Sequence, residues 1–308
     1  ADLEQPISLS TWQQDQRSGV LDQPATLDEV RTALPDRACL LAFTHTEAGC
    51  HAVAVGPSGE RLVEIGPNPA VIDAVRALRR DLRGSAYAHA RPDLRARLRA
   101  SVAASAARLD ELLIAPVLAE VEESERVVIT AGDLLHAVPW AALPGLGGRP
   151  VTVAPSATVW RRLSREPHLA ARSVSALAGP HVAQGVREAG EVAATWRAAG
   201  VRTAHEAVPA SAAATAAALA GADIVHIAAH GHHADDTPLF SSLLMADGPL
   251  FAHELVHGVG ARHVVLSACD VGRSRVRSGG EALGLTAALL ALGVQTVIAA
   301  LAPIPDEV

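Results

Sequence analysis

From Arg126 onward the chain alternates short apolar runs with helical stretches, and this alternation constrains the fold more than any other feature. RVVIT (126–130), VTVAPSA (151–157), VSALAGP (174–180), DIVHIAAHG (223–231), HVVLSACD (263–270) and QTVIAAL (295–301) read as buried strands. Between them, VREAGEVAATWRAAG (186–200), SAAATAAALAG (211–221) and GEALGLTAALLALG (280–293) read as helices, the first closed by Gly200. Strands joined through helices pair in parallel, so an α/β fold with a parallel sheet is expected.

The amino-terminal part has a different rhythm. TLDEVRTAL (26–34) opens with a threonine three residues before Glu29, the signature of a capped helix. ACLLAFTHT (38–46), HAVAVGP (51–57) and RLVEIGP (61–67) are joined by turn residues and predict an antiparallel meander. Helices are predicted over 69–83, where Val71, Ile72, Val75, Leu78 and Leu82 keep helical spacing, and over 92–121. We therefore expect two α/β units, 30–168 and 169–308, preceded by a linker or the end of a helical region over 1–29.

Composition excludes several functional classes. With 49% apolar and 19% charged residues in 308, the chain has the make-up of a folded protein with sizeable cores. No apolar run is long enough to cross a membrane, and no secretory leader is visible, so no membrane association is expected. The net charge of −7, carried against arginines scattered on helical stretches, is not that of a nucleic-acid binder. Three cysteines, Cys39, Cys50 and Cys269, make no disulfide framework and fit a reducing cytoplasm. The single methionine is Met245 and the first residue is Ala1, so a piece of a longer protein, or a processed one, is expected.

Two apolar strands end in reactive residues. Ile224, Val225 and Ile227 lead to His230-Gly231; Val264, Val265 and Leu266 lead to Cys269. Sites in open α/β sheets form beyond the carboxyl ends of the strands, so if these strands are neighbours, His230 and Cys269 meet there. The imidazole would take the thiol proton, because the thiolate is the nucleophile. The Gly231 and Cys269 N–H groups would stabilise an oxyanion, worth on the order of 3 kcal/mol per donor. Taken singly, a cysteine at a strand end is a small core residue and a lone histidine a satisfied polar one. The residues alone leave both readings open.

DIVHIAAHG, LFSSLLMADGPLFAHEL, VVLSACDVG and GGEALGLTAALLALGVQTVIAALAPIPDE, together with VVITAGDLLHAVPWAALPG (127–145) and VAPSATVWRRL (153–163), resemble the CHAT domain, a caspase-like family often fused to TPR repeats. The resemblance extends over about 30–308 and departs from the family pattern at Ala302-Pro303, where Trp-Pro is usual. It implies a caspase-like sheet flanked by helices, with an N-terminal pseudo-protease half packed on a C-terminal protease half that is incomplete at Val308. It also implies a cysteine endopeptidase of bacterial signalling or defence with a His230/Cys269 dyad, no cofactor, a protein substrate, and a regulatory partner or fused sensor region. A catalytically inactive scaffold is the alternative.

Other residues are secondary candidates. Ser267 stands where some basic-specific relatives have an acid; Asp270, Glu281 and Asp235, with Asp236, are acids near the site. Arg273, Arg275 and Arg277 lie in GRSRVRSGG (272–280), a loop open to activating cleavage. A metal site from His230, His232 and His233 with Cys269 is conceivable, but no further ligand has a convincing spacing, so no metal is expected. Cys39 and Cys50 read as core or edge residues, and His136 as structural.

Overall fold

A computed structural model describes residues 23–86, 92–131, 135, 138–167, 169–232, 240–267, 285–286, 288–290 and 292–300. The first helix, α1 (Leu27–Ala33), starts where expected: the Glu29 N–H donates to Thr26 Oγ1 at 3.3 Å while the Thr26 N–H donates to Glu29 Oε2 at 3.0 Å. This reciprocal cap satisfies two of the donors a helix start leaves unpaired.

Strands β1 (Ala38–Thr46), β2 (Gly49–Gly56) and β3 (Gly59–Gly66) form the predicted meander, antiparallel throughout. Beyond it the chain makes α2 (Asn68–Ala86) and α3 (Pro92–Leu113). The single helix predicted over 92–121 is interrupted: a 3-10 turn at Ala115–Val117 separates α3 from α4 (Leu118–Glu122). Pro116 is the cause, because it has no N–H to donate and its ring crowds the preceding turn. Strand β4 (Arg126–Ala131) pairs in parallel with β1, and β5 (Val151–Ala154) pairs in parallel with β4, giving the order β3-β2-β1-β4-β5. The strand expected over 151–157 stops at Ala154, since Ser156 caps α5 (Ala157–Ser164) by accepting from the Val159 N–H.

Alternation along β1 explains why this sheet is covered on both faces. Cys39, Leu41 and Phe43 join Val75 and Leu78 of α2 and Leu109 and Leu113 of α3 in one cluster. Leu40 faces the other way, with Val128, against Val30 of α1 and Trp160 of α5. Trp140 closes the larger cluster, its ring stacked on Phe43 at 5.0 Å.

The second sheet is wholly parallel, as the strand–helix alternation requires. Its elements are β6 (Ser173–Ala178), α6 (Gly185–Ala198), β7 (Arg202–His205), α7 (Ala212–Gly221) and β8 (Ile224–Ala228). A ribbon follows, of β9 (Gly231–His232), β10 (Ser242–Met245) and β11 (Gly248–Phe251), and then β12 (His263–Ser267) and β13 (Thr296–Ala299). The sheet order is β13-β12-β8-β6-β7. The ribbon is a separate antiparallel sheet, β11-β10-β9.

Val225, Ile227, Val264 and Leu266 project from one face of the parallel sheet onto Leu219 of α7, Leu285 and Leu289, and Leu243, Met245 and Leu250 of the ribbon. On the opposite face Ala176 packs on Ala189 and Ala193 of α6. His226 lies on that face too, buried, with Nε2 at 2.8 Å from Glu188 Oε1 on α6. No helix among the described residues is long and apolar enough to cross a membrane.

Candidate functional site

β8 and β12 are neighbours, paired in parallel from His263 opposite Ile224 to Ser267 opposite Ala228. His230 follows Ala228 by two residues, and Cys269 follows Ser267 by the same two. Cys269, Asp270 and Glu281, the loop 272–280, Asp235 and Asp236, His233, and His136 lie outside the described residues. His230, Gly231 and Ser267 are described, all three half-buried.

The strand expected to run through Gly231 ends at Ala228. There the Gly179 N–H takes the Ala228 carbonyl at 2.8 Å, and the next carbonyl but one, that of His230, is taken instead by the Leu244 N–H at 2.8 Å. The chain thus leaves the parallel sheet and enters the ribbon at His230. The Leu244–His230 bond continues the β9–β10 register, in which Leu243 stands opposite Gly231. Antiparallel ladders alternate bonded and unbonded pairs. Leu243–Gly231 is the unbonded kind, so the Gly231 N–H is directed away from β10, toward the edge of the ribbon.

Gly179 is a position where only glycine fits. A Cβ there would fall inside contact distance of the Leu244 carbonyl oxygen and 2.8 Å from the Ala229 Cβ. Its absence lets the end of β6 lie directly against the His230 segment. Two residues on, His181 adopts φ +63°, the left-handed conformation that costs a non-glycine residue about 1 kcal/mol. The turn aims the His181 carbonyl at the imidazole, 3.1 Å from His230 Nε2. A carbonyl can only accept, so Nε2 carries a proton, and in the neutral ring the lone pair is then on Nδ1. That Nδ1 is buried and has no hydrogen-bond partner among the described residues. The arrangement leaves one ring nitrogen able to take a proton and fixes which one it is.

His181 and Gly179 escaped the sequence reading. Their contributions are a backbone carbonyl and a missing side chain, and only the Gly-Pro pair after β6 hinted at an unusual turn. Cys39 and Cys50 are fully buried, as expected, and burial pushes both thiols up, that of Cys50 to about 11. Neither can supply a thiolate near neutral pH. Among the described residues no group of three or more His, Cys, Asp or Glu stands where it could hold a metal ion.

No curated protein matches the chain. The CHAT domain family matches residues 103–308, from within α3 through both the β4–β5 pair and the whole parallel sheet; β1–β3 lie before the match. That family is part of the caspase-like cysteine peptidase clan, with which an α/β structure of mixed sheets flanked by helices is compatible. Over two thirds of its length, this chain belongs to the CHAT domain family.

Proposed function

We propose that the chain is a cysteine endopeptidase in which His230 activates Cys269. The observation that carries this reading is the state of the His230 ring: Nε2 tied to the His181 carbonyl, Nδ1 unpartnered, at the end of a strand adjacent to the one that leads to Cys269. A thiolate formed by proton transfer to Nδ1 attacks the substrate carbonyl. The oxyanion is met by the Gly231 N–H, directed out of the ribbon, and by the Cys269 N–H. The imidazolium then returns its proton to the departing amine, and water hydrolyses the thioester. In this reading the first sheet belongs to a pseudo-protease half over 30–168 and the parallel sheet to the protease half over 169–308. A protein substrate and control by a partner or fused sensor region are part of the same proposal.

The test is competitive labelling with an iodoacetamide probe, alongside cleavage of a randomised peptide library. Cys269 should label far faster than Cys39 and Cys50, whose thiols are buried. His230→Ala should slow both labelling and cleavage by about 100-fold or more. Wild-type protein that labels Cys269 no faster than the buried thiols and cuts no peptide would instead be an inactive scaffold.

A further inference from the structure

The face of the ribbon that carries His230 also carries an apolar ledge. Ala229, Leu243 and Met245 are buried in one cluster, so the residues alternating with them, His230 and Leu244, project from the opposite side. The Leu244–His230 hydrogen bond sets the two residues opposite each other, and Leu244 stands opposite Pro249 on β11. His230, Leu244 and Pro249 therefore form one row across three strands. Side chains directly opposite in such a row lie about 5 Å apart, so the ledge extends roughly 10 Å from the imidazole. Leu244 is 38% exposed, between two buried neighbours, and Pro249 is exposed. In the adjacent row Phe251 stands opposite Ser242 on the same face, stacked on His253 at 5.3 Å. A leucine exposed between buried residues and continued by a proline offers apolar surface with no side-chain donor or acceptor to satisfy.

We infer that the Leu244–Pro249 ledge is a substrate subsite that receives an apolar side chain just after the scissile bond. This rests on the proposed peptidase reading. The imidazole must hand its proton to the amine that leaves, so the residue carrying that amine lies on the histidine's side of the bond. Its side chain then falls on whatever flanks the ring, and along the ribbon that is Leu244. Leu244 is a specificity residue here, since it does no chemistry.

The experiment reads the residue after each cut when the full chain digests a randomised peptide library. Wild-type protein should enrich leucine, isoleucine, methionine or phenylalanine at that position. Leu244→Glu should lose the enrichment and favour lysine and arginine, with kcat/KM for a peptide apolar at that position falling about tenfold, mostly through KM. Leu244→Met should keep the wild-type ranking, which separates a subsite from a merely structural contact. A flat ranking in wild-type protein, or an unchanged ranking in Leu244→Glu, overturns the inference. Iodoacetamide labelling of Cys269 keeps the two claims apart. A chain that labels and cuts without this preference refutes the ledge alone, whereas one that neither labels nor cuts refutes the peptidase reading and the ledge with it.

Discussion

Asp223 ties together the amino ends of three strands, and its removal should destabilise the parallel sheet by a calculable amount. Its carboxylate accepts from the Arg172 N–H at 2.8 Å, the Ser173 N–H at 3.0 Å and the Ser173 hydroxyl at 3.1 Å, and pairs with the Arg262 guanidinium at 3.1 Å. These groups precede or begin β6, β8 and β12. The Arg172 N–H first, then Arg262 and Ser173, outweigh partial burial and lower the Asp223 carboxyl from 3.8 to about 2. Because the folded value lies below the unfolded one, the stabilisation is full above pH 3.8 and is lost as the pH falls through 2. At neutral pH it amounts to about 2 kcal/mol, and about half remains at pH 3. Urea unfolding of wild-type protein and Asp223→Asn, followed by far-UV circular dichroism, measures the difference. We expect about 2 kcal/mol at pH 7, shrinking between pH 4 and pH 2. A difference that stays constant across that interval would refute the electrostatic account and leave only lost packing.

Gly179→Ala should displace the His230 segment, since the new methyl meets Leu244 and Ala229. We expect a loss of about 1–3 kcal/mol in stability together with slower alkylation of Cys269, and a variant matching wild type in both would contradict the close approach. Trp140→Ala should cost about 4 kcal/mol in urea unfolding of the first sheet, because the ring is fully buried and stacked on Phe43; a loss under about 1 kcal/mol would show that the site collapses around the gap.

What could be read from sequence was whatever apolar alternation or local capping writes down. Val225 and Ile227, like Val264 and Leu266, announced strands, and Thr26 with Glu29 announced a helix start. The break at Pro116 was overridden in the reading by apolar residues that keep helical spacing on both sides of it. β7 was missed because its four residues, Arg202–His205, form a partly exposed edge strand with no apolar run. The His226–Glu188 pair joins residues 38 apart in sequence, a contact that no local pattern records. At the site, the histidine was visible by its strand, but the group that orients it was not. A carbonyl has the same chemistry on every residue, so only the backbone turn at His181 could identify it.

The position of β12 has a consequence for synthesis. β8 pairs on one side with β6, which precedes it, and on the other with β12, which is made only after the whole ribbon. While the ribosome is still adding residues 229–262, one edge of the histidine-bearing strand has no partner, an invitation to pairing with other chains. Under the proposed peptidase reading, the same order keeps His230 without its cysteine until β12 has been made and has inserted beside β8.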